Sequence, residues 1–298
     1  MKLSKRALIM VCALVLATTA TAFGTIAYLT DRAQATNTFT VGNVDIDLDE
    51  ADVDENGNQK YPYDGNGDNK PDGYISVDEN GNLLIDDNDP NTPPVVVKPN
   101  DDGTYPPTDV NGDSTPDTIT VDPTTGVPTV NGTELKPGRD AGNEYNLVPG
   151  ATYLKDPTMT VVAGSEKSYV RMLVEVYGYD TMATQLDCEP AQLMDELTNV
   201  ADSTYWTLFG TPQVDGDKLV FEYRYKEPVD ASTAAENMVL PALFTEFKVP
   251  GELTGDQLRE IGNAGFMMDI FGHAIQTASF ASETEAWAAF DDQNKTQQ

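Results

Sequence analysis

The chain has 298 residues and a formal net charge of −31, from 49 acidic and 18 basic side chains. That balance excludes nucleic acid as a partner, because phosphate backbones are held by lysine and arginine, and it disfavours adsorption to anionic lipid. The length allows one large or two modest domains, and the 39% of hydrophobic residues can form a core although they are unevenly spread.

Lys2, Lys5 and Arg6 precede an apolar run from Ala7 to Ala22. A positive segment followed by an apolar run of this length reads as a cleavable signal peptide over residues 1–27. Thr25 and Ala27 are small, which places the cut between Ala27 and Tyr28; a cut after Ala22 is the alternative. The run is short for a membrane span, which needs about 20 apolar residues, so no stable span is expected after cleavage. Cys12 lies inside the leader without a lipobox, so Cys188 is the one cysteine of the exported chain and forms no internal disulfide. It reads as a small buried apolar residue. Export without disulfides suits the surface of a Gram-positive bacterium.

Residues 28–50 are expected to form an N-terminal arm and the first strand of the body. Phe39, Val41, Val44, Ile46 and Leu48 alternate with polar residues, the pattern of a half-buried strand kinked near Gly42. Val41 to Leu48 is expected to pair within its own sheet, whereas Tyr28 to Asn37 is expected to be free after cleavage.

Residues 51–142 change character. Asp, Asn, Gly and Pro dominate, and Pro93-Pro94 and Pro106-Pro107 discourage regular structure. An internal repeat sets the segment apart from a linker: Asp64-Gly-Asn-Gly-Asp-Asn-Lys-Pro-Asp72 matches Asp109-Val-Asn-Gly-Asp-Ser-Thr-Pro-Asp117. Each copy leads into a short apolar strand, a turn (Asn80-Gly81 or Thr125-Gly126) and a return strand, so the unit is a loop plus a hairpin used twice. Self-repulsion of the carboxylates favours expansion of this segment when no metal is bound.

Residues 143–298 read as all-β. Leu147-Val-Pro-Gly150 is a turn, and Met159–Val162, Tyr169–Tyr177, Lys218–Tyr225 and Met238–Val249 have strand composition, with Phe266–Phe280 mostly extended. Leu193 and Leu197 stand at helical spacing within Pro190–Val200. Thr254 with Gln257 forms a capping box whose helix stops at Gly262, and Ser282 with Glu285 opens a terminal helix carrying Trp287 and Phe290. Strands at this spacing indicate a sandwich.

Gly24-Thr-Ile-Ala-Tyr-Leu-Thr-Asp31 and Asn37-Thr-Phe-Thr-Val-Gly-Asn-Val-Asp-Ile-Asp-Leu48 closely resemble the start of the TasA/camelysin family. Tyr169-Val-Arg-Met-Leu-Val174, Leu243-Phe-Thr-Glu-Phe-Lys-Val-Pro250 and Gly272-His-Ala-Ile-Gln-Thr-Ala-Ser-Phe280 resemble its later strands. The likeness covers residues 1–50 and 145–290 and leaves the acidic middle as an insertion. It implies an all-β fold, a jelly-roll-like β-sandwich with short helical insertions, here carrying an Asp-rich loop-and-hairpin insertion. It also implies export through the dedicated signal peptidase SipW, and that some members build extracellular matrix fibres by donating an N-terminal strand to the next subunit. Camelysin-type members have been classed as metallopeptidases.

The two Asp-rich loops carry the clearest chemistry. Calcium takes six to eight hard oxygen ligands on a flexible loop. Asp64, Asn66, Asp68 and Asp72 supply side-chain oxygens in one loop, and Asp109, Asn111, Asp113 and Asp117 in the other; Lys70 and Thr115 would add backbone carbonyls. Ile75 and Thr120 stand where an EF-hand has its bidentate glutamate, so the loops look more like those of thrombospondin type 3 repeats. A solvated acidic turn is the alternative. Asp54 and Asp78 begin Asp-Glu-Asn-Gly-Asn segments that read as hairpin turns. No catalytic residue is assigned: the single histidine, His273, leaves no His-Glu-x-x-His helix, and it reads as a structural strand residue.

The resulting expectation is a secreted cell-wall or biofilm-matrix protein of a Gram-positive bacterium that assembles with itself or with other matrix proteins. A camelysin-type metallopeptidase and a calcium-dependent surface adhesin are the alternatives.

Overall fold

The computed structural model describes residues 28–37, 44–65, 68, 70–87, 89, 91–110, 114–140 and 142–295. The leader, Ala27 and the expected kink at Gly42 lie outside them.

The described chain opens with strand β1 (Tyr28–Asn37) and strand β2 (Ile46–Ala51). In β2 the buried Ile46 and Leu48 flank the exposed Asp47, as in a strand with one face on a core. The insertion then forms β3 (Lys60–Tyr63), β4 (Gly73–Val77), β5 (Leu83–Asp86), β6 (Val95–Val97), β7 (Ile119–Val121), β8 (Pro128–Val130) and β9 (Thr133–Glu134). Strands β3 to β6 make an antiparallel meander, and β7 to β9 a second small sheet. Both expected hairpins are present, β4 with β5 and β7 with β8. Despite its polar composition the insertion has a core of its own. Ile75 and Leu83 are fully buried there, joined by Tyr63, Ile85, Val97, Val110 and Ile119.

The chain returns through β10 (Arg139–Asp140), β11 (Glu144–Asn146), β12 (Thr152–Leu154), β13 (Thr158–Val161) and β14 (Ser168–Tyr177). Helices α1 (Tyr179–Gln185) and α2 (Leu193–Leu197) precede β15 (Trp206–Leu208), β16 (Gln213–Asp215) and β17 (Lys218–Tyr225). Strands β18 (Met238–Val239) and β19 (Glu246–Lys248), helix α3 (Gly255–Asn263), β20 (Met267–Gln276) and helix α4 (Glu283–Lys295) complete it.

The body is an all-β sandwich. Among the described residues one sheet runs β11-β1-β20-β14-β17-β15, with β16 also on β17, and a second runs β10-β2-β13-β18. Leu48, Met159 and Val161 meet Met172, Val174, Phe221, Met268 and Ile270 in one apolar cluster. Gly272 of β20 marks a close approach of the sheets, because a Cβ there would collide with the Met159 methyl and touch Leu48.

The ladder that closes the large sheet corrects one expectation. Tyr28–Asn37 is not free: β1 runs parallel to β20, from Thr30 opposite Met267 to Asn37 opposite Ala274. Strand β20 is paired with β14 on its other side, so its remaining edge offers a row of backbone donors and acceptors that β1 satisfies. This parallel pair joins strands from opposite ends of the chain. Of Val41 to Leu48, expected to pair within its own sheet, Ile46 to Leu48 does so as part of β2, paired to β13, and Val41 to Asn43 lies outside the described residues.

Three smaller expectations also change. Met238–Val249 is not one strand; it divides into β18 and β19. Pro241 has no N–H for a ladder, and Leu240, Leu243 and Phe244 bury their side chains from a loop instead. Pro190–Val200 is a 3₁₀ turn, then α2, then a second 3₁₀ turn at Val200–Asp202. Helix α3 passes Gly262 and ends where Gly265 takes the left-handed conformation (φ 71°).

The insertion is rooted by charge. Strand β10 pairs with β2 where the chain leaves the sandwich. Beneath that pair Lys155 meets Glu50 at 2.8 Å, both side chains fully buried. The Asn143 amide donates to Glu50 at 2.9 Å and accepts from the Val53 N–H at 3.0 Å. Removing one member of such a buried pair costs about 3–5 kcal/mol, because the other charge stays behind. Arg139 adds bonds to Asp49 at 2.7 Å and to Asp156 at 2.8 Å.

Candidate functional site

Two regions hold features beyond packing: the slot filled by β1, and the loop end of the insertion. Within the slot β1 pairs with β20 along Thr30–Asn37. On its other side β11 pairs with Tyr28–Thr30, and Asp31–Asn37 has no ladder there among the described residues. Tyr28, expected as the first residue after cleavage, is the first of the described residues and lies in β1. The seat of this N-terminal strand is therefore made by the C-terminal strand of the sandwich, with a short cover at one end.

The two Asp-rich loops share one construction. In the first, the ninth-position carboxylate of Asp72 accepts from the second-position Gly65 N–H at 2.8 Å. In the second, Asp117 accepts from the Val110 N–H at 3.1 Å. Within the loops Asp68 accepts from the Lys70 N–H at 2.9 Å and Asp109 from the Ser114 N–H at 2.8 Å. Asp64, Asp68, Lys70, Asp109 and Thr115 are exposed, Asp72 is half-buried and Asp117 is buried. Asp117 also accepts from the Asn131 amide at 2.6 Å, so both its oxygens are bonded within the protein. Asn66, Asn111 and Asp113 lie outside the described residues. Among the described residues no group of three or more His, Cys, Asp or Glu is gathered as a metal site.

The fold brings the loops together around one phenol. Tyr63 is buried at the end of β3, and the Asp72 N–H donates to its carbonyl at 2.8 Å. Burial first, then the carboxylates of Asp72, Asp117, Asp109 and Asp87, push the phenol up to about 12. Asp87 shows what a search for the two repeats overlooks. Asp86-Asp-Asn-Asp-Pro-Asn91 occupies the equivalent place between the loops, with Asp87 accepting from the Asp89 N–H at 3.1 Å and Asp89 from the Asn91 N–H at 2.9 Å. The signal for it is the recurring hairpin turn. At Asp54–Asn58, Asp78–Asn82 and Asn100–Thr104 the first N–H bonds the fifth carbonyl, and the glycine N–H bonds the first carbonyl. Three turn-plus-loop units thus follow one another. Asp54 and Asp78 hold these turns, with Asp78 accepting from the Asn80 and Asn82 N–H groups at 2.9 and 2.8 Å. Beside the first turn, a cavity of about 620 Å³ is lined by Asp54, Lys60, Tyr74, Asp86 and Asp89, with the Lys60 ammonium 5.1 Å from the Tyr74 ring centre.

His273 occupies a structural position. Its Nδ1 accepts from Arg171 Nε at 3.2 Å, and the Phe290 ring lies 4.7 Å away. Arg171 stacks on Trp287 at 4.3 Å and also binds Asp291, so the cluster fastens α4 to the sheet. Cys188 is half-buried and packs at the margin of the main core. Among the described residues no helix is long and apolar enough to cross a membrane.

Fold and sites together define a class: an all-β sandwich completed by its N-terminal strand and carrying an acidic, rooted β insertion. No family model, curated protein or solved structure matches the chain.

Burial first, then the neighbouring Arg171 guanidinium, lower the His273 ring to about 3 against an opposing pull from Asp291. The fold favours the neutral ring, so this stabilisation is full above the unfolded value of 6.5 and is lost as pH falls towards 3. The chain has one histidine, so its ring gives one unambiguous set of proton resonances. They should keep their neutral shifts from pH 7 down to about 4, and a midpoint at about 6.5, the free-histidine value, would contradict a buried neutral ring.

Proposed function

We propose that this is a secreted structural protein of the cell wall or biofilm matrix of a Gram-positive bacterium, and that it assembles into fibres by exchanging β1 between subunits. The observation that carries the reading is the parallel ladder between β1 and β20. A terminal strand held by main-chain hydrogen bonds can be replaced by the same strand of a second copy with the same bonds re-formed. Since every subunit both offers a strand and holds a slot, the contact is head-to-tail and extends into a filament when the rotation does not close. The leader over residues 1–27 and the resemblance to the TasA/camelysin family support export, with SipW as the processing partner. Other copies of this chain, or other matrix proteins, are the assembly partners.

Electron microscopy of the exported chain over a concentration series tests this. Fibres are expected at high concentration, and a molar excess of a synthetic peptide of residues 28–37 should stop their growth by filling the slot. A chain that stays monomeric at its highest soluble concentration would overturn the reading.

The insertion adds a calcium-dependent element to this proposal. The donors are all oxygens, the ligand type that calcium prefers, and carboxylates from three loops crowd Tyr63. Asp64, Asp68, Asp72 and Asp109 are carboxylates, each with two oxygens of the kind that coordinates calcium. A ligand that binds only the folded state stabilises it, by about 2.7 kcal/mol at a hundred times its dissociation constant. Calcium should therefore raise the unfolding midpoint of the protein, and Asp64→Asn combined with Asp109→Asn should abolish the rise. Superimposable melting curves in calcium and in chelator would remove calcium from the account.

A further inference from the structure

We propose that Arg32 selects and registers the strand that fills the β20 slot, so that a strand donated by a second copy of this chain is accepted for the cation it carries. This rests on the strand exchange proposed above and adds what makes that exchange selective.

Strand β1 contains one basic residue, Arg32. In the parallel ladder Arg32 stands in register with Asp269 of β20. Asp269 in turn stands in register with Glu175 of β14. Both carboxylate residues are buried, 7% and 9% exposed. Glu175 is paired with Lys218 of β17 at 2.6 Å and accepts from the Tyr177 hydroxyl at 3.3 Å. Arg32, Asp269 and Glu175 thus stand in one row across three neighbouring strands, and Lys218, opposite Tyr177 on the fourth, reaches Glu175 diagonally, which gives the order positive, negative, negative, positive. Buried carboxylates on adjacent strands repel, and a buried charge is tolerated only when it is paired. Lys218 brings one positive charge to the two acids, and the Arg32 position brings the second.

The same row penalises misalignment. Asp31 and Ala33 flank Arg32, in register with Met268 and Ile270, both fully buried. A slip of one residue in either direction sets Arg32 beside one of these apolar residues. It also sets Asp31 or Ala33 beside Asp269, one repelling the carboxylate and the other offering it no charge. Tyr28 and Leu29 at the start of the strand lie in the β11 ladder, before the β20 ladder begins at Thr30, and the part that follows Arg32, Ala33-Gln-Ala-Thr-Asn37, has no large apolar residue with which to fix its register on β20. A weakly patterned strand slips unless something specifies its place, and here the cation does so.

The test compares the exported chain with Arg32→Asp, with Asp269→Arg and with the double variant, using sedimentation and electron microscopy, with circular dichroism to confirm folding. Each single variant carries the mismatch in the closed subunit and in the fibre alike, so each should lose stability, while their mixture, matched only between unlike copies, should assemble at about a hundredfold lower concentration than either alone. An equimolar mixture of the two single variants should recover assembly, because each arm then suits the other's slot, and the double variant should assemble alone. A folded mixture that assembles no more readily than either single variant, or a folded double variant as destabilised as the singles, would overturn the proposal. Should the unmodified chain never assemble, strand exchange fails and Arg32 is judged within the monomer by unfolding. Two destabilised singles with a recovered double variant would then uphold its registering role, and purely additive losses would end it.

Discussion

The fold depends on one backbone ladder, that between the first and the last strand of the sandwich. Strand β20 lies in the middle of the large sheet, with β14 bonded to one edge and β1 to the other. Without β1, the β20 edge from Met267 to Ala274 would present unpaired N–H and C=O groups beside a packed core. An open edge of that kind is a template for any strand that fits. Under the strand exchange proposed above, closing the sheet and joining subunits would be the same physical event, with the source of the strand deciding between monomer and filament.

The other constraints follow from that one. Glu175 and Asp269 are buried and Lys218 half-buried, so under the pairing proposed above the occupant of the slot is restricted in charge as well as in shape. The insertion is kept out of the sheet by its rooting: the buried Glu50–Lys155 pair and the Asn143 bridge hold its stem where β2 and β10 pair. Its own core around Ile75, Leu83 and Ile119 makes it a second folding unit on the sandwich. Its exposed loops carry many carboxylates, which favour solubility, while the strand slot is a matter of main-chain hydrogen bonds.

Local patterns in the sequence read well wherever neighbours along the chain decide the structure. Lys218–Tyr225 alternates and is a strand over those residues. Asn80-Gly81 and Thr125-Gly126 mark hairpin tips because glycine takes the left-handed backbone at both, φ 76° and 72°. The Thr254–Gln257 capping box holds its helix start as its side chains require. Non-local pairing was not legible in this way. Nothing near Thr30 in the chain announces Met267 as its ladder partner, and a polar strand such as Tyr28–Asn37 carries too weak an apolar pattern to declare a face. Apolar runs mislead in the opposite sense: Leu240, Leu243 and Phe244 are core residues that reach the interior from a loop. In the candidate site, the Asp-rich repeats were visible as spacing, but their convergence on Tyr63 and the third loop at Asp87 arise from the stacking of successive hairpins.

Whether β1 seats in its own subunit or in the next is read most directly by a disulfide across the ladder. Thr30→Cys and Met267→Cys stand in register, within reach of a disulfide across adjacent strands, and Cys188→Ala removes the competing thiol. Oxidised in dilute solution, this variant should close its bond within single chains. Oxidised as fibres, it should give a ladder of covalently linked multimers on a denaturing, non-reducing gel. Fibres that yield only internally bonded single chains would contradict strand exchange as the basis of assembly.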